Sequence, residues 1–566
     1  MKSKIFSTKY FKPRHMNRRI DVFNVFFMSL PVIVTGICAS SVAAFEVDTG
    51  QSDVQLRWDN TLKYSDAFRL KDQSGRLISD PNSDDGDRNF NKNIISNRLD
   101  LLSELDFAYK DFGARVSGAA WYDSVYHRSN DNDSPFTSNQ GTVDNNEFVN
   151  ATEKLHGQKA EVLDAFVFGR GSIGDNRLAF RAGQYALQWG ETLFFGANGI
   201  AGSQAPVDVI KALSVPGTQF KELIRPTEQL SASIQPNQDF LIAAYYQTEW
   251  EKTRLPGVGS YFSSNDLFDA GGNRFLFGQI AAPGEIPANA LYLERDPDLD
   301  PKNSGQGGVQ LRFRLPNDTT DYGLYAIRYH DKTPQIYIQP GTGADGASRV
   351  GSYFLAYQND IDAYGVSANH TFGNLNLATE ISARRNTALV NDGMTLAPGV
   401  IPGRNDPLYP VGNSAHANIS AFWTLPVSPV FREASFLGEV AWNKLTSISE
   451  NPEALAAKAT PQAVATRFVF TPTYRQVLSG LDLDVPFGVG YAPKGTSSVV
   501  PAFGPDHGGD VSLGANVTYS NVWKAGINVT HYFGPEDTGA DEVGHLTFKQ
   551  TLKDRDFIAL SVQRTF

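Results

Sequence analysis

The feature that most constrains the fold is an alternation of apolar and polar residues over segments longer than ordinary strands. In Val54–Tyr64, apart from Asn60, apolar side chains occupy one face and polar side chains the other, which is the period of a β-strand. Strands in globular proteins usually have roughly 5–6 residues, whereas a strand that crosses a bilayer at a tilt needs about 9–11. The same pattern recurs in Asn97–Tyr109 and Val511–Tyr519. These segments predict an all-β fold, a transmembrane antiparallel β-barrel.

The connections between the alternating segments support this prediction. Lys71–Asn93 and Arg128–Gly157 are long and polar, whereas Lys110–Gly113 is a tight turn. Outer-membrane barrels have long outer loops and short periplasmic turns, and for a chain of this length we expect about 14–18 strands, an even number. The alternative is a soluble secreted β-sandwich or propeller, which does not need strands this long.

The N-terminal segment has the composition of an export signal. Lysines and arginines precede the apolar segment Val22–Ile37, and the small residues Val42–Ala44 precede a predicted cleavage before Phe45. A retained membrane anchor is the alternative, although Pro31 interrupts a short apolar core. We therefore expect residues 1–44 to be a signal peptide and residues 45–566 to form the outer-membrane barrel.

The charge and the cysteine content exclude several classes of function. Without residues 1–44, 43 of the 50 lysines and arginines face 60 of the 61 aspartates and glutamates, a net charge of -17. So acidic a chain is not expected to bind nucleic acid. The single cysteine, Cys38, lies in the predicted leader, so the mature chain offers no thiol for a disulfide or a metal.

One stretch departs from the alternation. Gln188–Leu230 is apolar, aromatic and rich in glycine and proline. Within it, Pro206–Leu213 is predicted to be helical, since proline favours the first turn of a helix. An apolar segment without strand character needs a sheltered place, and the lumen of a barrel provides one. We therefore predict that residues 188–230 fold into the lumen as a hatch or a binding shelf.

The side chains of this stretch are typical of a ligand site. Apolar pockets with a few polar groups suit small hydrophobic molecules, and a ligand carboxylate can pair with Lys211, Lys221 or Arg225. The alternative is that each side chain only packs the insert against the wall. The predicted ligand or hatch residues are Trp189, Glu191, Phe194, Phe195, Asn198, Lys211, Phe220, Lys221 and Arg225.

Charged residues on the polar faces of the strands are expected to line the lumen. A wet lumen tolerates charge, and these groups either pair with one another and with the insert or form an ion-selecting ring. The predicted lumen charges are Arg98, Asp100, Glu104, Asp106, Arg115, Arg312 and Arg314.

Signals for catalysis and for metal binding are sparse. The sequence has no GxSxG or HExxH motif and its histidines are scattered, so we expect neither an enzyme nor a cofactor. Two groups of loop aspartates carry the oxygen ligands that Ca²⁺ prefers, and a solvated outer loop is the simpler interpretation of both. These groups are Asp296, Asp298 and Asp300, and Asp84, Asp85 and Asp87.

Several short motifs together resemble one known family. The motifs are Arg181–Gln184, Trp189–Glu191, Asn198–Ile200, Gln204–Pro206, Pro216–Thr218, Asp84–Phe90, Asp360–Gly365, Ser479–Pro486 and Asp554–Phe557. Their combination resembles the proteobacterial outer-membrane β-barrel family catalogued as domain of unknown function 1302, over nearly the whole mature chain. The resemblance implies a place in a Gram-negative outer membrane and a role in moving hydrophobic compounds, sometimes beside an inner-membrane transporter of the resistance-nodulation-division type. It implies no catalytic or binding residues.

Three functions follow from these observations, in order of preference. The first is an outer-membrane channel or transporter for hydrophobic or amphipathic small molecules, surrounded by outer-membrane lipid, with residues 188–230 as the hatch. The second is a water-filled diffusion porin in which the insert forms the constriction. The third is an outer-membrane hydrolase, since catalytic residues need not be adjacent in sequence.

Overall fold

The structure is a computed structural model, and it describes residues 45–47, 50–215, 219–276, 291–345 and 348–566. The predicted leader, residues 1–44, lies outside the described residues, as does the motif Pro216–Thr218. The predicted signal peptide therefore stays a prediction.

Eighteen antiparallel strands join into one closed barrel. The last strand, Phe557–Thr565, pairs with Thr61–Arg69 of the first strand and completes the ring. Closure leaves no strand edge unpaired, as the interior of a bilayer requires. The predicted transmembrane antiparallel β-barrel is confirmed, and its strand number is the upper limit of the predicted range.

We number the barrel strands β1 to β18 in chain order. The fifteenth strand is interrupted at Val485 and Pro486, because proline has no N–H for the ladder. The bounds are β1 Val54–Arg69, β2 Ile94–Tyr109, β3 Phe112–Asp123, β4 Gln158–Ile173, β5 Asn176–Tyr185, β6 Thr227–Asn237, β7 Phe240–Gln247, β8 Gln306–Phe313, β9 Asp321–Tyr329, β10 Ile361–Phe372, β11 Leu375–Ala388, β12 Val411–Leu425, β13 Glu433–Glu450, β14 Gln462–Leu478, β15 Leu481–Asp484 with Phe487–Lys494, β16 Gly509–Tyr519, β17 Trp523–Phe533 and β18 Phe557–Thr565.

The alternation of the sequence separates two faces of the wall. On β2, Leu101 and Phe107 are exposed on the outside of the barrel, while Asp100 and Asp106, one position away, point inward. Tyr109 and Phe112 flank the turn between β2 and β3 and are also exposed. An apolar outer band with aromatic residues near its rim is the surface that lipid requires.

The two ends of the barrel differ, as predicted. At one end the turns are short, and Gly174 and Gly373 each take the first position of a two-residue turn with φ +59°, a conformation that favours glycine. At the other end the long connections fold over the mouth and form a second, five-stranded sheet. Its strands are Met394–Thr395, Gln335–Pro340, Arg349–Ala356, Tyr292–Arg295 and Arg274–Leu276.

The long loops are packed onto the barrel rather than free. Phe90, Tyr126 and Tyr261 form a buried aromatic cluster with Phe557 of β18. The short helices of this end are Asp85–Arg88, Ser124–His127, Asn150–Thr152, Glu153–Gly157 and Pro452–Ala454. In the part of the chain that is described, no helix is long and apolar enough to cross a membrane.

The barrel predicts a strong difference between the two faces of one strand. Leu101→Arg places a charge in the lipid-facing band, and we expect it to lower the free energy of unfolding by about 2–4 kcal/mol. The matched change Leu102→Arg, on the inward face, is expected to cost much less because water reaches the lumen. Urea titration of the barrel in lipid vesicles measures both values, and equal losses for the two variants would contradict the assigned faces.

Candidate functional site

The predicted insert connects β5 to β6. It begins after Tyr185 and ends before Thr227, so Thr227–Leu230 belong to β6 and not to the insert. The predicted boundary was therefore too late, because period-two alternation resumes at Thr227. Tyr185 and Thr227 are register partners on adjacent strands, so the chain leaves the wall and returns to it at one place.

The insert has little regular structure because its glycines and prolines interrupt it. It contains the turns Gly196–Asn198 and Ile200–Ser203 and the short helices Val209–Ser214 and Phe220–Leu223. The carboxylate of Asp208 accepts a hydrogen bond of 3.0 Å from the backbone N–H of Lys211 and so caps the first helix. A helix was predicted from Pro206, and it starts three residues later.

Two buried wall carboxylates hold the first half of the insert through its backbone. Glu380 of β11 accepts hydrogen bonds from the N–H groups of Glu191, at 2.9 Å, and Ile200, at 2.6 Å. Glu439 of β13 accepts three more from Leu193–Phe195, at 3.1, 2.5 and 2.9 Å. Successive backbone N–H groups around one anion form a strong anion-binding arrangement. Gly199 permits this approach, since a Cβ there would lie 2.6 Å from Glu380 Oε1.

Asn198 is the polar centre of this attachment. Its side-chain amide donates to Asn418 Oδ1 at 2.9 Å and to the carbonyl of Trp442 at 3.1 Å. Its amide oxygen accepts from Asn443 at 3.1 Å. Arg384 donates to the carbonyls of residues 197 and 199 at 2.7 and 2.9 Å. The insert is thereby joined to three consecutive strands, β11 to β13.

Glu191 links the insert to strands on the other side of β11. Its carboxylate forms an ion pair of 3.2 Å with Arg312 of β8 and accepts a hydrogen bond of 2.6 Å from Asn369 of β10. Glu191 and Arg312 are both buried. Two residues predicted separately, one for the insert and one for the wall, therefore form one pair.

The aromatic residues of the insert divide into buried and half-buried ones. Trp189 is fully buried, with its ring 5.0 Å from that of Tyr245 at 81°, and Phe220 is buried against Gly196. Phe194 and Phe195 are only half-buried, and the ring of Phe195 lies 5.8 Å from that of Phe503. Trp189 and Phe220 therefore pack the insert, whereas Phe194 and Phe195 keep apolar surface open.

The second half of the insert carries the predicted cations. Lys211 and Lys221 are exposed, and Lys211 Nζ donates to the carbonyl of Glu222 at 2.8 Å. Arg225 forms ion pairs of 2.9 Å with Glu251 and 3.9 Å with Glu161 of β4. Only the two lysines therefore present an exposed charge.

The insert spans the lumen from one wall to the opposite wall. Its first half is bound to Glu439 on β13, and its second half reaches Glu161 on β4. Arg254 strengthens the second attachment by pairing with Glu161 and, at 2.9 Å, with Asp208 of the insert. β4 and β13 lie half-way round the ring of 18 strands from each other. Such a bridge divides the cross-section of the barrel.

The other predicted lumen charges form local pairs. Arg98 lies 2.7 Å from Asp100, and Arg115 pairs with Glu104 and, at 3.0 Å, with Asp106. Asp164 of β4, which the sequence analysis did not single out, lies 3.4 Å from Arg115. Arg314 follows the end of β8 and pairs with Asp321 at 2.8 Å, so it lies at the short-turn end. These charges therefore neutralise one another along neighbouring strands.

The two predicted aspartate groups have different surroundings. Asp298 is paired with Arg295 at 2.6 Å and lies 3.6 Å from Lys252. Asp87 is paired with Arg69 at 2.6 Å and lies 3.4 Å from Arg555. Among the described residues, the carboxylates that converge are instead Asp84, Asp85 and Asp266.

The most important residues that sequence reasoning missed are Glu380 and Glu439. Each is an acidic residue on an inward position of a long barrel strand, and an ionisable group in a membrane-spanning segment is a functional candidate by default. That signal was present in the sequence. Their backbone partners in the insert could not be predicted, because they depend on how an irregular segment folds.

Fold and site together define a closed transmembrane barrel with a folded segment bridging its lumen. The chain belongs to the family described as "Protein of unknown function (DUF1302)", which it matches over residues 25–566. The resemblance drawn from the motifs is confirmed. No curated protein sequence matches the chain.

Solved structures with some similarity include three crystal structures of bacterial proteins. OccAB2 and OccAB3 of Acinetobacter baumannii have 9% and 10% sequence identity, both with a TM-score of 0.40, over 90% of this chain and 98% and 99% of theirs. OpdK of Pseudomonas aeruginosa with vanillate has 8% identity and a TM-score of 0.37, over 90% of this chain and 98% of its own. Similarity at this level transfers neither a substrate nor a site.

The attachment of the insert to Glu439 can be tested directly. In Glu439→Ala the N–H groups of Leu193–Phe195 lose their acceptor, at about 1–3 kcal/mol for each buried donor left unpaired. We expect hydrogen–deuterium exchange of this segment to become roughly tenfold to hundredfold faster. Glu433→Ala, on the same strand but in an exposed pair with Arg475, is the control and should leave the exchange unchanged. Unchanged exchange in Glu439→Ala would show that the carboxylate does not hold the insert.

Proposed function

We propose that this protein is an outer-membrane channel or transporter for hydrophobic or amphipathic small molecules, with residues 186–226 as its hatch. The observation that carries the proposal is the bridge from β13 to β4, which side-chain contacts hold at both ends. Side-chain hydrogen bonds and ion pairs can be broken singly, whereas a strand ladder cannot. A segment attached in this way can open without disturbing the wall.

The apolar surface of the insert supports a hydrophobic ligand. Phe194 and Phe195 are half-buried, and Phe503 of an outer loop lies beside Phe195. Leu213 of the insert packs against the aromatic cluster of Phe90 and Tyr126. Exposed Lys211 and Lys221 supply cations that suit a ligand carboxylate. An amphipathic acid therefore matches the apolar and charged groups of the insert better than a neutral polar solute does.

The surroundings of the barrel complete the proposal. The apolar outer band, the family and the predicted leader support a place in the outer membrane of a Gram-negative cell, with membrane lipid as the neighbour. An inner-membrane transporter of the resistance-nodulation-division type is the proposed protein partner. The protein is proposed to act without a catalytic step, and therefore without an enzymatic cofactor.

A water-filled porin is the second candidate, and the polar wall of β2 to β4 favours it. Arg98, Asp100 and Arg115 lie on neighbouring inward faces and are only partly buried, as expected for a wall in contact with water. In this alternative the insert is a fixed constriction and ions pass beside it.

Removing the insert tests whether it closes the lumen. Because Tyr185 and Thr227 are register partners, a short Gly-Ser linker in place of residues 188–225 can close the gap without moving the strands. We expect the wild type to conduct little in a planar bilayer and the deletion variant to form a large, steady pore. A wild type that already conducts as much as the deletion variant would favour the porin.

Locking the second half of the insert tests whether it moves. Arg225 and Glu251, which form an ion pair of 2.9 Å, are replaced by cysteines and joined with a short thiol crosslinker; Cys38 is the only native cysteine. We expect uptake of a fluorescent fatty acid into proteoliposomes to fall to background and to return when the linker is cleaved. A link between Phe195→Cys and Phe503→Cys, in the attached half, is the control. Uptake that continues in the locked protein would exclude a moving hatch.

A further inference from the structure

Three carboxylates from two long loops converge at the outer end of the barrel. Asp84 and Asp85 stand at the start of the helix Asp85–Arg88, and Asp266 comes from the connection between β7 and β8. All three are buried, and one oxygen of each lies within 4.8 Å of the others. Asp266 Oδ2 accepts a hydrogen bond of 3.1 Å from the backbone N–H of Asp85. The separation of these residues in sequence explains why motif analysis did not group them.

The charges around this cluster do not balance. Arg88 pairs with Asp84, and it is the one arginine or lysine that the described ion pairs give to the three carboxylates. The neighbouring Asp87 is compensated twice, by Arg69 at 2.6 Å and by Arg555 at 3.4 Å. The fold therefore pairs Asp87 with two arginines. It leaves Asp85 and Asp266 without an ion pair among the described residues.

Two buried side-chain oxygen atoms at this place have no hydrogen-bond donor among the described residues. Asp266 Oδ1 is fully buried and accepts no hydrogen bond from the described residues. Asn139, whose backbone N–H donates to Asp85 at 3.1 Å, also has a buried amide oxygen without a hydrogen bond from that part of the chain. Asn139 is not acidic, so its oxygen is an observation independent of the carboxylates. Buried acceptors in proteins normally have a donor or a cation.

We propose that Asp84, Asp85 and Asp266 bind one Ca²⁺ ion. Ca²⁺ takes 6–8 oxygen ligands from carboxylates, amides and carbonyls in flexible geometry, and the cluster supplies donors of this kind only. The ion would join the loop after β1 to the connection between β7 and β8, and the hydrogen bond from Asn139 to Asp85 would add the loop after β3. It would therefore hold together the loops that cover the mouth of the barrel.

The experiment compares Ca²⁺ binding and loop protection in purified barrel, in detergent free of lipopolysaccharide. Calorimetric titration with Ca²⁺ should give one site per chain, and Asp266→Asn should weaken its affinity about tenfold or more. At free Ca²⁺ about ten times Kd, the open form of the cluster becomes about tenfold rarer, so protease cleavage in residues 70–93 should slow by a similar factor. Asp300→Asn, an exposed aspartate outside the cluster, is the control and should bind Ca²⁺ like the wild type.

Asp266→Asn keeps the size of the side chain and removes one of the like charges, so without Ca²⁺ it should be at least as stable as the wild type. Asp85→Asn is the second variant and should lose binding in the same way. The proposal is overturned if the wild type shows neither binding nor protection, which would mean that the cluster shares a proton instead. It is also overturned if Asp300→Asn loses Ca²⁺ while Asp266→Asn keeps it, because the ion then belongs to Asp296–Asp300.

Discussion

The interaction on which the interior depends is the binding of backbone N–H groups by Glu380 and Glu439. A segment rich in glycine and proline cannot satisfy its own backbone, and much of the first half of the insert is buried against the wall, where an unpaired N–H is costly. The two carboxylates accept five of these hydrogen bonds. The N–H dipoles that replace the lost water offset part of the cost of burying the two carboxylates.

This arrangement explains why the wall can be regular while the insert is not. The backbone ladder of the wall closes the ring without the insert. The insert, in contrast, depends on side chains from β7 to β13 for nearly all of its first half. Glycines at the points of contact, such as Gly199 beside Glu380, let the backbone approach where a side chain would collide. The wall is thus held by its own strand ladder, whereas the insert is held by side chains of the wall.

Sequence periodicity predicted the strands of the wall well, because the alternation of each strand is visible in its own residues. Alternation in Val54–Tyr64 depends on local residues, and lipid enforces it along the whole strand. For the insert, the sequence predicted the position in the chain but not the structure. Asn198, Glu191 and Arg312 were predicted as site or lumen residues, but the residues that they contact were not predicted. Those partners are far apart in sequence, for example Glu191 and Asn369, and no local rule joins them. The same holds for Asp84 and Asp266, which only the folded loops bring together.

The contacts of the two halves of the insert differ in a way that decides which half can move. The first half is held by buried hydrogen bonds to charged groups, worth about 1.5–3 kcal/mol each, and by the fully buried Trp189. The second half has fewer attachments. They are the Arg225–Glu251 pair, whose side chains are 24% and 37% exposed and which is of the kind that contributes about 0–1 kcal/mol, and the buried Arg254, which pairs with Glu161 and Asp208. In the proposed channel, a bound ligand would therefore displace the second half of the insert before the first. The first half would stay on the wall as the hinge, so opening requires the ion pairs of Arg225 and Arg254 to break.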